Sequence, residues 1–573
     1  MLRIFTLIAL CAVTFSYGQF QLSFQDSATA KGVGYTYGTS FYGGGVSFCD
    51  FNNDGWDDLT YSTTDGEQLL FFQNNNGLFT EVDLSIVNNQ RVKQVLWVDY
   101  DNDGDKDFMA TSISGFNKYY RNDGALTFTD VTETIGFFTN NLTTYGISFG
   151  DIDNDGDLDA LIANRDSVNT NNYSYLYRNQ GNGTFIEITE SAGLNLNNEL
   201  SFCSAFFDYD NDGDQDIYIA NDKTPNRNRL YQNNGSGTFT DVSVSSDAGV
   251  FIDAMSTTIG DYNNDGWFDI YVTNTTAGNY LLKNNGDGTF FNLSPGLGTE
   301  MNTISWGSSF LDADNDRDLD LYVSSSMTGV DPTLMSSAFF ENDGTNNYTI
   351  PTGIGFANDT RRSFANAVGD FNNDGLPDIV VMNDTDNYFL WENTTTNSNN
   401  YLKVKLEGVT SNKGGIGSRI EVAINGNSQY RYTLCGEGYL AQNSSTEIIG
   451  FGSATVADYV KVTWPSGTID IINNVTANQV LNIVEGSSLS TNDYNQAPKL
   501  NVHPNPTNGK VTINNIKSNT KLIVYNILGR QLLEQVLTPT KNKVDISNYA
   551  KGVYLFSLKD EDGKLTTKKV VLQ

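Results

Sequence analysis

DIDNDGDLDA, residues 151–160, runs directly into the β-rich tetrapeptide LIAN. The phrase returns six more times, at intervals of roughly fifty residues: DFNNDGWDDL from Asp50, DYDNDGDKDF from Asp99, DYDNDGDQDI from Asp208, DYNNDGWFDI from Asp261, DADNDRDLDL from Asp312 and DFNNDGLPDI from Asp370. Position 1 is Asp50, Asp99, Asp151, Asp208, Asp261, Asp312 and Asp370. Position 3 is Asn52, Asp101, Asp153, Asp210, Asn263, Asp314 and Asn372. Position 5 is Asp54, Asp103, Asp155, Asp212, Asp265, Asp316 and Asp374, and position 9 is Asp58, Asp107, Asp159, Asp216, Asp269, Asp320 and Asp378. Oxygen ligands at this spacing suit a hard cation, most simply Ca²⁺, with up to seven sites.

Two plainer readings compete. An EF-hand needs a bidentate Glu at position 12 and flanking helices. Position 12 here is Tyr61, Ala110, Ile162, Ile219, Val272, Val323 and Val381, all in strand-like sequence. A turn alone would also favour Asp, Asn and Gly. Seven copies in one register argue against that, because crowded carboxylates repel unless a cation neutralises them. Gly at position 6 allows a left-handed turn. The sixth copy carries Arg317 there, and on this ground it is expected to be the weakest site.

Each phrase leads into an apolar run, then a second such as Tyr175–Asn179 or Arg229–Asn233, an Asn/Gly turn, and a third such as Thr184–Ile188. A further run, such as Ser204–Phe207, precedes the phrase. Four short strands per unit at this period are propeller arithmetic. The expected fold is all-β, with a seven-bladed β-propeller over 19–400. The seventh unit lacks a last strand, and Phe20–Asp26 resembles the last strands Phe128–Val131 and Phe239–Val242. Residues 20–26 are therefore expected to complete the seventh blade, which removes an open edge.

The formal net charge of −34 argues against the basic surface that phosphate binding needs, so no nucleic-acid partner is expected. His503 is the only histidine, which excludes a Ser-His-Asp triad, a Cys-His pair or a His-ligated zinc from the first 500 residues. Arg3, the apolar run Ile4–Phe15 and Ser16-Tyr17-Gly18 form a secretory leader over 1–18, with cleavage expected after Gly18. No other stretch is long and apolar enough to span a bilayer. Cys49, Cys203 and Cys435 then remain, an odd and widely spaced set that makes no disulfide framework.

The texture changes near residue 400. A β-rich region without the aspartate phrase runs over 401–485, followed by a Ser/Asn-rich linker over 486–498. Residues 499–573 reverse the charge, with twelve Lys/Arg against five Asp/Glu, and read as a small separate domain.

The aspartate phrase with its following strand resembles the FG-GAP/VCBS repeats of integrin-α-type propellers. That resemblance implies Ca²⁺ held between the first two strands of each blade, on positions 1, 3, 5 and 9; Arg317 departs from it. Residues 401–485 resemble an ASPIC/UnbV domain, as in the cartilage-acidic-protein family, on Ser411–Arg419, Gly436–Leu440 and Trp464–Gly467. Residues 499–573 resemble a type A sorting domain of the type IX secretion system of Bacteroidetes, on His503-Pro504-Asn505-Pro506, Tyr525–Arg530, Gly552-Val553-Tyr554 and Lys568-Lys569. That implies a β-sandwich recognised by the type IX machinery, export through the periplasm and outer membrane, and a secreted or surface location.

Two functions stay open at this point. One is a secreted binding or adhesion module for an extracellular glycan, matrix or protein ligand. The other is a secreted enzyme acting on a polymer through the propeller face or the ASPIC/UnbV-like region, where Arg419, Glu437 and Trp464 are the candidate groups. An acid-lined central channel favours the second, and a crowded apolar one the first.

Overall fold

The computed structural model describes residues 22–38, 41–64, 66–87, 90–140, 142–169, 172–327, 336–356, 359–488, 501–514, 516, 519–526, 530–559 and 565–573. The leader and most of the linker lie outside the described residues. The chain divides into two compact units, Met1–Ser488 and Leu489–Gln573. Both are built of strands, with only two helices of 4 residues each among the described residues.

The first unit opens with seven antiparallel sheets in chain order. The third is typical: Thr144–Gly150, Asp159–Asn164, Tyr175–Asn179 and Phe185–Glu187 pair in succession. In all seven the second strand begins at position 9 of the aspartate phrase, so the phrase is the hairpin joining the first two strands. The second strands are buried on both faces, as Asp159–Asn164 and Asp216–Asn221 show. The fourth strands bury alternate residues at most, as Phe185–Glu187 shows. Sheets stacked face to face produce this pattern, with the outermost strand in contact with water. The first strands of successive sheets pack on one another, and Arg362–Gly369 of the seventh packs on Val46–Cys49 of the first. The repeated four-strand sheets are consistent with a propeller.

The fourth strand of the seventh sheet is Phe24–Asp26, which pairs antiparallel with Phe389–Asn393. This is the N-terminal segment expected there; residues 20 and 21 lie outside the described residues.

From residue 400 the chain builds two further sheets. Asn400–Glu407 lies between Glu447–Gly452, antiparallel to it, and Val480–Val484, parallel to it. Arg419–Ile424 and Val456–Thr463 form the centre of a four-stranded sheet. Leu402, Val404, Ile420, Val422, Val460 and Trp464 make their shared core.

Between Tyr432 and Glu447 the chain leaves these sheets and runs among the first strands of the repeats. Phe149 N donates to Cys435 O at 3.0 Å, and Gly438 N donates to Thr257 O at 2.8 Å. Ala441–Gln442 adds in parallel to Val46–Ser47 of the first sheet. The Gln442 side chain accepts from Trp97 N at 2.9 Å and donates to Trp97 O at 2.6 Å. Ser444 N donates to Val368 O at 2.9 Å. One segment thus touches the inner strands of the first, second, third, fifth and seventh sheets, with Tyr439, Leu440 and Ala441 buried.

The second unit holds a three-stranded and a four-stranded antiparallel sheet over one core that includes Val511, Ile513, Val524 and Phe556. Cys49, Cys203 and Cys435 are free and buried. No described helix is long and apolar enough to cross a membrane.

Candidate metal centres

All seven phrases fold alike. The position 1 carboxylate accepts from the backbone N–H of position 5 on Oδ1 at 2.8–3.1 Å. On Oδ2 it accepts from position 6 at 2.8–3.0 Å. Position 6 is left-handed throughout, with φ between 84° and 98°, and Arg317 follows at φ 92°.

Position 9 is tied still more firmly. Its Oδ1 accepts from an asparagine N–H at the end of the third strand at 2.7–2.8 Å: Asn74, Asn122, Asn179, Asn233, Asn284, Asn342 or Asn393. Its Oδ2 accepts from position 2 at 2.9–3.1 Å in six loops. In the fifth, Asp269 Oδ2 is buried without a partner.

Carboxylates gather in four loops. Asp99, Asp101 and Asp107 place ligand atoms within 4.8 Å of one another, as do Asp151, Asp153 and Asp159, and Asp208, Asp210 and Asp216. In these three loops position 5 stands outside the group. In the sixth, Asp312, Asp314 and Asp316 gather and Asp320 stands outside. One Oδ1 of Asp101, Asp153 and Asp210 is buried without a partner. Burial above all, with neighbouring carboxylates adding, pushes Asp151 and Asp208 up to about 7 and Asp107 to about 8. Unpaired buried oxygens in a clustered acidic set are what a divalent cation satisfies, so these donors fit Ca²⁺.

Among the four-aspartate loops, the third has Arg178 Nε 3.4 Å from Asp153 Oδ2; the loops with Asn at position 3 differ in that the cation is a lysine in all three. Each has a lysine on one carboxylate: Lys405 Nζ lies 3.0 Å from Asp50 Oδ2, Lys283 Nζ 2.9 Å from Asp265 Oδ2, and Lys403 Nζ 3.0 Å from Asp370 Oδ2. Lys403 and Lys405 come from the strand Asn400–Glu407, two residues apart on one face.

Two sets of residues escaped the sequence reading. Position 4 is asparagine in every copy, Asn53, Asn102, Asn154, Asn211, Asn264, Asn315 and Asn373, each at φ 55–60°. In six loops its Nδ2 donates to the position 6 carbonyl of the next loop at 2.9–3.2 Å, and Asn373 returns to Gly55. In the third, Asn154 donates instead to Asp214 Oδ1 at 2.9 Å. The unvarying Asn was the signal, since Asn tolerates the left-handed region better than other side chains. The third-strand asparagines are the second set. In six of the seven, Nδ2 donates to the position 2 carbonyl of a neighbouring sheet's loop, as Asn233 does to Ile152 O and Asn74 to Phe371 O, while Asn122 donates to Lys106 O of its own loop.

Two of the three candidate catalytic groups are occupied otherwise. Arg419 donates to Asn211 Oδ1 and Gly266 O, so it ties the fourth and fifth loops. Trp464 Nε1 donates to Asp470 Oδ2 at 2.8 Å in the core. Glu437 is buried within the inserted segment, with Oε2 unpartnered. Gly486 N and Ser488 N donate to Asp470 Oδ2 and Oδ1 at 2.7 and 2.9 Å.

Repeated hairpins of clustered aspartates on stacked four-strand sheets define the class, an acidic all-β repeat protein. The FG-GAP-like repeat family matches residues 50–110, 99–162, 167–219, 208–272 and 261–323. The ASPIC and UnbV family matches 408–490, and the secretion system C-terminal sorting domain matches 501–573. The chain therefore carries FG-GAP-like repeats, an ASPIC/UnbV segment and a type IX sorting tail, and it is exported to the cell surface or the extracellular space. It is 28% identical over 188 residues to cartilage acidic protein 1 of Mus musculus, covering 31% of this chain and 28% of that protein. It is 24% identical over 320 residues to the Xenopus tropicalis protein of the same name, covering 49% and 48%. The chain thus spans half or less of these relatives. Among solved structures, it is similar to the extracellular domain of a putative hybrid two-component system from B. thetaiotaomicron, at 12% identity and TM-score 0.38, covering 96% of this chain and 58% of that one.

Proposed function

We propose that the protein is a calcium-braced, seven-bladed propeller that serves outside the cell as a non-catalytic binding module for a glycan, matrix or protein ligand. The ring reading is supported by the seventh first strand packing back on the first, and by the return of the position 4 ladder from Asn373 to Gly55. The observation that carries the binding reading is the inserted segment Cys435–Ser444. It fills the space among the inner strands with buried Tyr439, Leu440 and Ala441, and the cavity left beside it has a single carboxylate among its described lining residues, Asp222, which is paired with Arg165, where hydrolysis of a glycan needs two.

Calcium enters first the loops with four aspartates, the second, third, fourth and sixth. The first, fifth and seventh have one carboxylate fewer and a lysine beside them, so they bind more weakly. This reverses the order expected from Arg317 alone. Bound cation relieves the repulsion that burial imposes on these aspartates. Calcium titration by calorimetry, with thermal melts with and without EDTA, tests this. The expected result is a tight class numbering the four clustered loops and a marked loss of melting temperature in EDTA. A melt unmoved by EDTA refutes the calcium reading. Turnover of any polymer by the secreted protein refutes the binding one.

A further inference from the structure

A cavity of about 380 Å³ lies at the ends of the sheets away from the aspartate hairpins. Its lining includes Asp222, Thr275 and Ser326, which follow the second strands ending at Asn221, Val272 and Ser325, whereas the hairpins precede those strands. Its other walls are aromatic. Tyr42 packs on Trp306 at 5.3 Å between ring centroids and on Phe202 at 6.0 Å, and Trp306 packs on Phe364 at 4.9 Å. Phe41 beside them is 52% exposed.

The site is built rather than left over. Tyr42 has φ 62°, a costly conformation for an aromatic residue. Two groups hold it there. The buried Lys93 Nζ donates to the carbonyls of Phe41 and Gly43, both at 2.5 Å, and Tyr439 Oη donates to Tyr42 O at 2.7 Å. Tyr439 is the tip of the inserted segment and packs under Trp306 and Phe202 at 5.0 and 5.5 Å. The strain is thus maintained by both parts of the first unit, and it presents two aromatic residues at a cavity.

The polar groups at this cavity favour an acceptor. The Trp306 indole N–H is buried and has no acceptor. Lys223 pairs with Asp222 and Asp253, and Arg362 pairs with Asp384. The cations face water, with side chains 52% and 45% exposed, whereas Asp222 and Asp384 are 4% and 0% exposed. The charged groups most open to water at the mouth are therefore Lys223 and Arg362, with Asp253 26% exposed beside Lys223. Apolar ring faces beside positive donors suit a ligand with one apolar face, several hydroxyls and a carboxylate.

We infer that this cavity binds a saccharide bearing uronic acid. The ring C–H face lies on Phe41 and Tyr42, the carboxylate on Lys223 and Arg362, and a hydroxyl oxygen on the Trp306 N–H. The inference rests on the binding-module reading and gives it a place and a ligand class.

Calorimetry on the secreted protein in excess calcium tests it, with oligogalacturonate as the probe and its fully methyl-esterified form as the neutral control. Each lost charge-assisted contact is expected to weaken binding about tenfold, so methyl esterification, Lys223→Gln and Arg362→Gln each show that loss. Trp306→Phe keeps a ring and removes the N–H, and a smaller loss is expected. Lys223→Arg should restore part of the affinity. Lys223→Gln leaves the buried Asp222 its bond to Arg165, so its melting should stay close to that of the parent, whereas Arg362→Gln takes the cation from the buried Asp384 and should melt lower; Lys223→Gln therefore carries the test. Equal binding of the ester, or undiminished binding by both glutamine variants, overturns the site while leaving a binding module. Failure to bind oligogalacturonate while other glycans or matrix proteins bind also overturns the site alone. Failure to bind any glycan or matrix protein overturns the site and the binding-module reading together.

Discussion

Asn233 offers a direct test of how adjacent sheets are held together. Its side chain is buried, 3% exposed, and bridges two sheets. Nδ2 donates to Ile152 O of the third loop at 2.8 Å and to Gln215 O of its own loop at 2.9 Å, and Oδ1 accepts from Gly235 N at 3.1 Å. Asn233→Ala keeps the backbone N–H that donates to Asp216 Oδ1, so no cation-binding carboxylate loses a contact. It removes the donor from two buried carbonyls, each worth about 1–3 kcal/mol when left unpaired, for a total of about 2–6 kcal/mol. Asn234 next to it is exposed, and its side chain bonds only within its own turn, to Ser236 and Thr238. Asn234→Ala should therefore cost about 0.5 kcal/mol or less. Asn233→Asp keeps the shape but sets an oxygen against both carbonyls, so it should cost more than alanine. Guanidinium unfolding in saturating calcium measures all three, read as a midpoint shift at constant slope. Equal midpoints for the Asn233→Ala and Asn234→Ala proteins would refute the reasoning, because the two differ chiefly in burial and in reach to the next sheet.

Three further outcomes follow from the same geometry. Glu485 accepts from the N–H groups of Val409, Thr410 and Ser411 and from the Ser411 and Ser466 hydroxyls; burial opposes its charge, but these bonds outweigh it and bring its carboxyl down to about 2. A depressed pKa gives stability that is present above the ordinary value of 4.5 and lost as pH falls through about 2. The melting gap between the parent and Glu485→Gln should therefore be widest at neutral pH and close over that window; a constant gap rules the account out. Arg317→Gly relieves a left-handed side chain at φ 92°, about 1 kcal/mol, which should raise calcium affinity at the sixth loop roughly fivefold in calorimetry. Lys403→Met strips the ammonium from the buried Asp370, so it should destabilise the protein by about 3 kcal/mol in EDTA and by less in saturating calcium, with the seventh loop binding calcium more tightly. The same loss in both conditions would separate Lys403 from cation binding.

Much of this was legible because it is local. Spacing within ten residues gathered the acidic positions into one short loop, and glycine at position 6 announced the left-handed turn. The start of each second strand could likewise be read from where the aspartates stop and the β-branched residues begin. Other contacts were in plain sight and unreadable. Asn233 was visible at the end of a strand, yet its partner Ile152 lies 81 residues away. Lys403 and Lys405 looked like the polar face of an alternating strand, which they are; nothing nearby in sequence says that this face meets Asp370 and Asp50. The inserted segment defeats periodicity altogether. Gly436, Gly438 and two flanking polar runs suggest a surface loop, but Tyr439, Leu440 and Ala441 are buried because the space they fill is made by five other sheets.

The strengthening is concentrated at one place. A ring of repeats is weakest where its first and last units meet, since no covalent hairpin joins them there. In the ring proposed above, that junction lies between the first and seventh sheets. Phe24–Asp26 crosses it by pairing with Phe389–Asn393. Asn373 donates across it to Gly55 O, and Asn74 to Phe371 O. Asp57 accepts across it from Asp370 N and also from Ser444 of the inserted segment. Lys403 and Lys405, two apart on one strand, straddle it with one ammonium on each side. The two loops served by these lysines are among those with a carboxylate fewer. A lysine fixed by the fold holds the junction at any calcium concentration, whereas a loop relying on cation alone would let the ring open when calcium is withdrawn. The missing aspartates at positions 52 and 372 are on this argument part of the seam: a fourth carboxylate there would compete with Asp50 and Asp370 for the ammonium and loosen the grip of the ASPIC/UnbV segment on the ring.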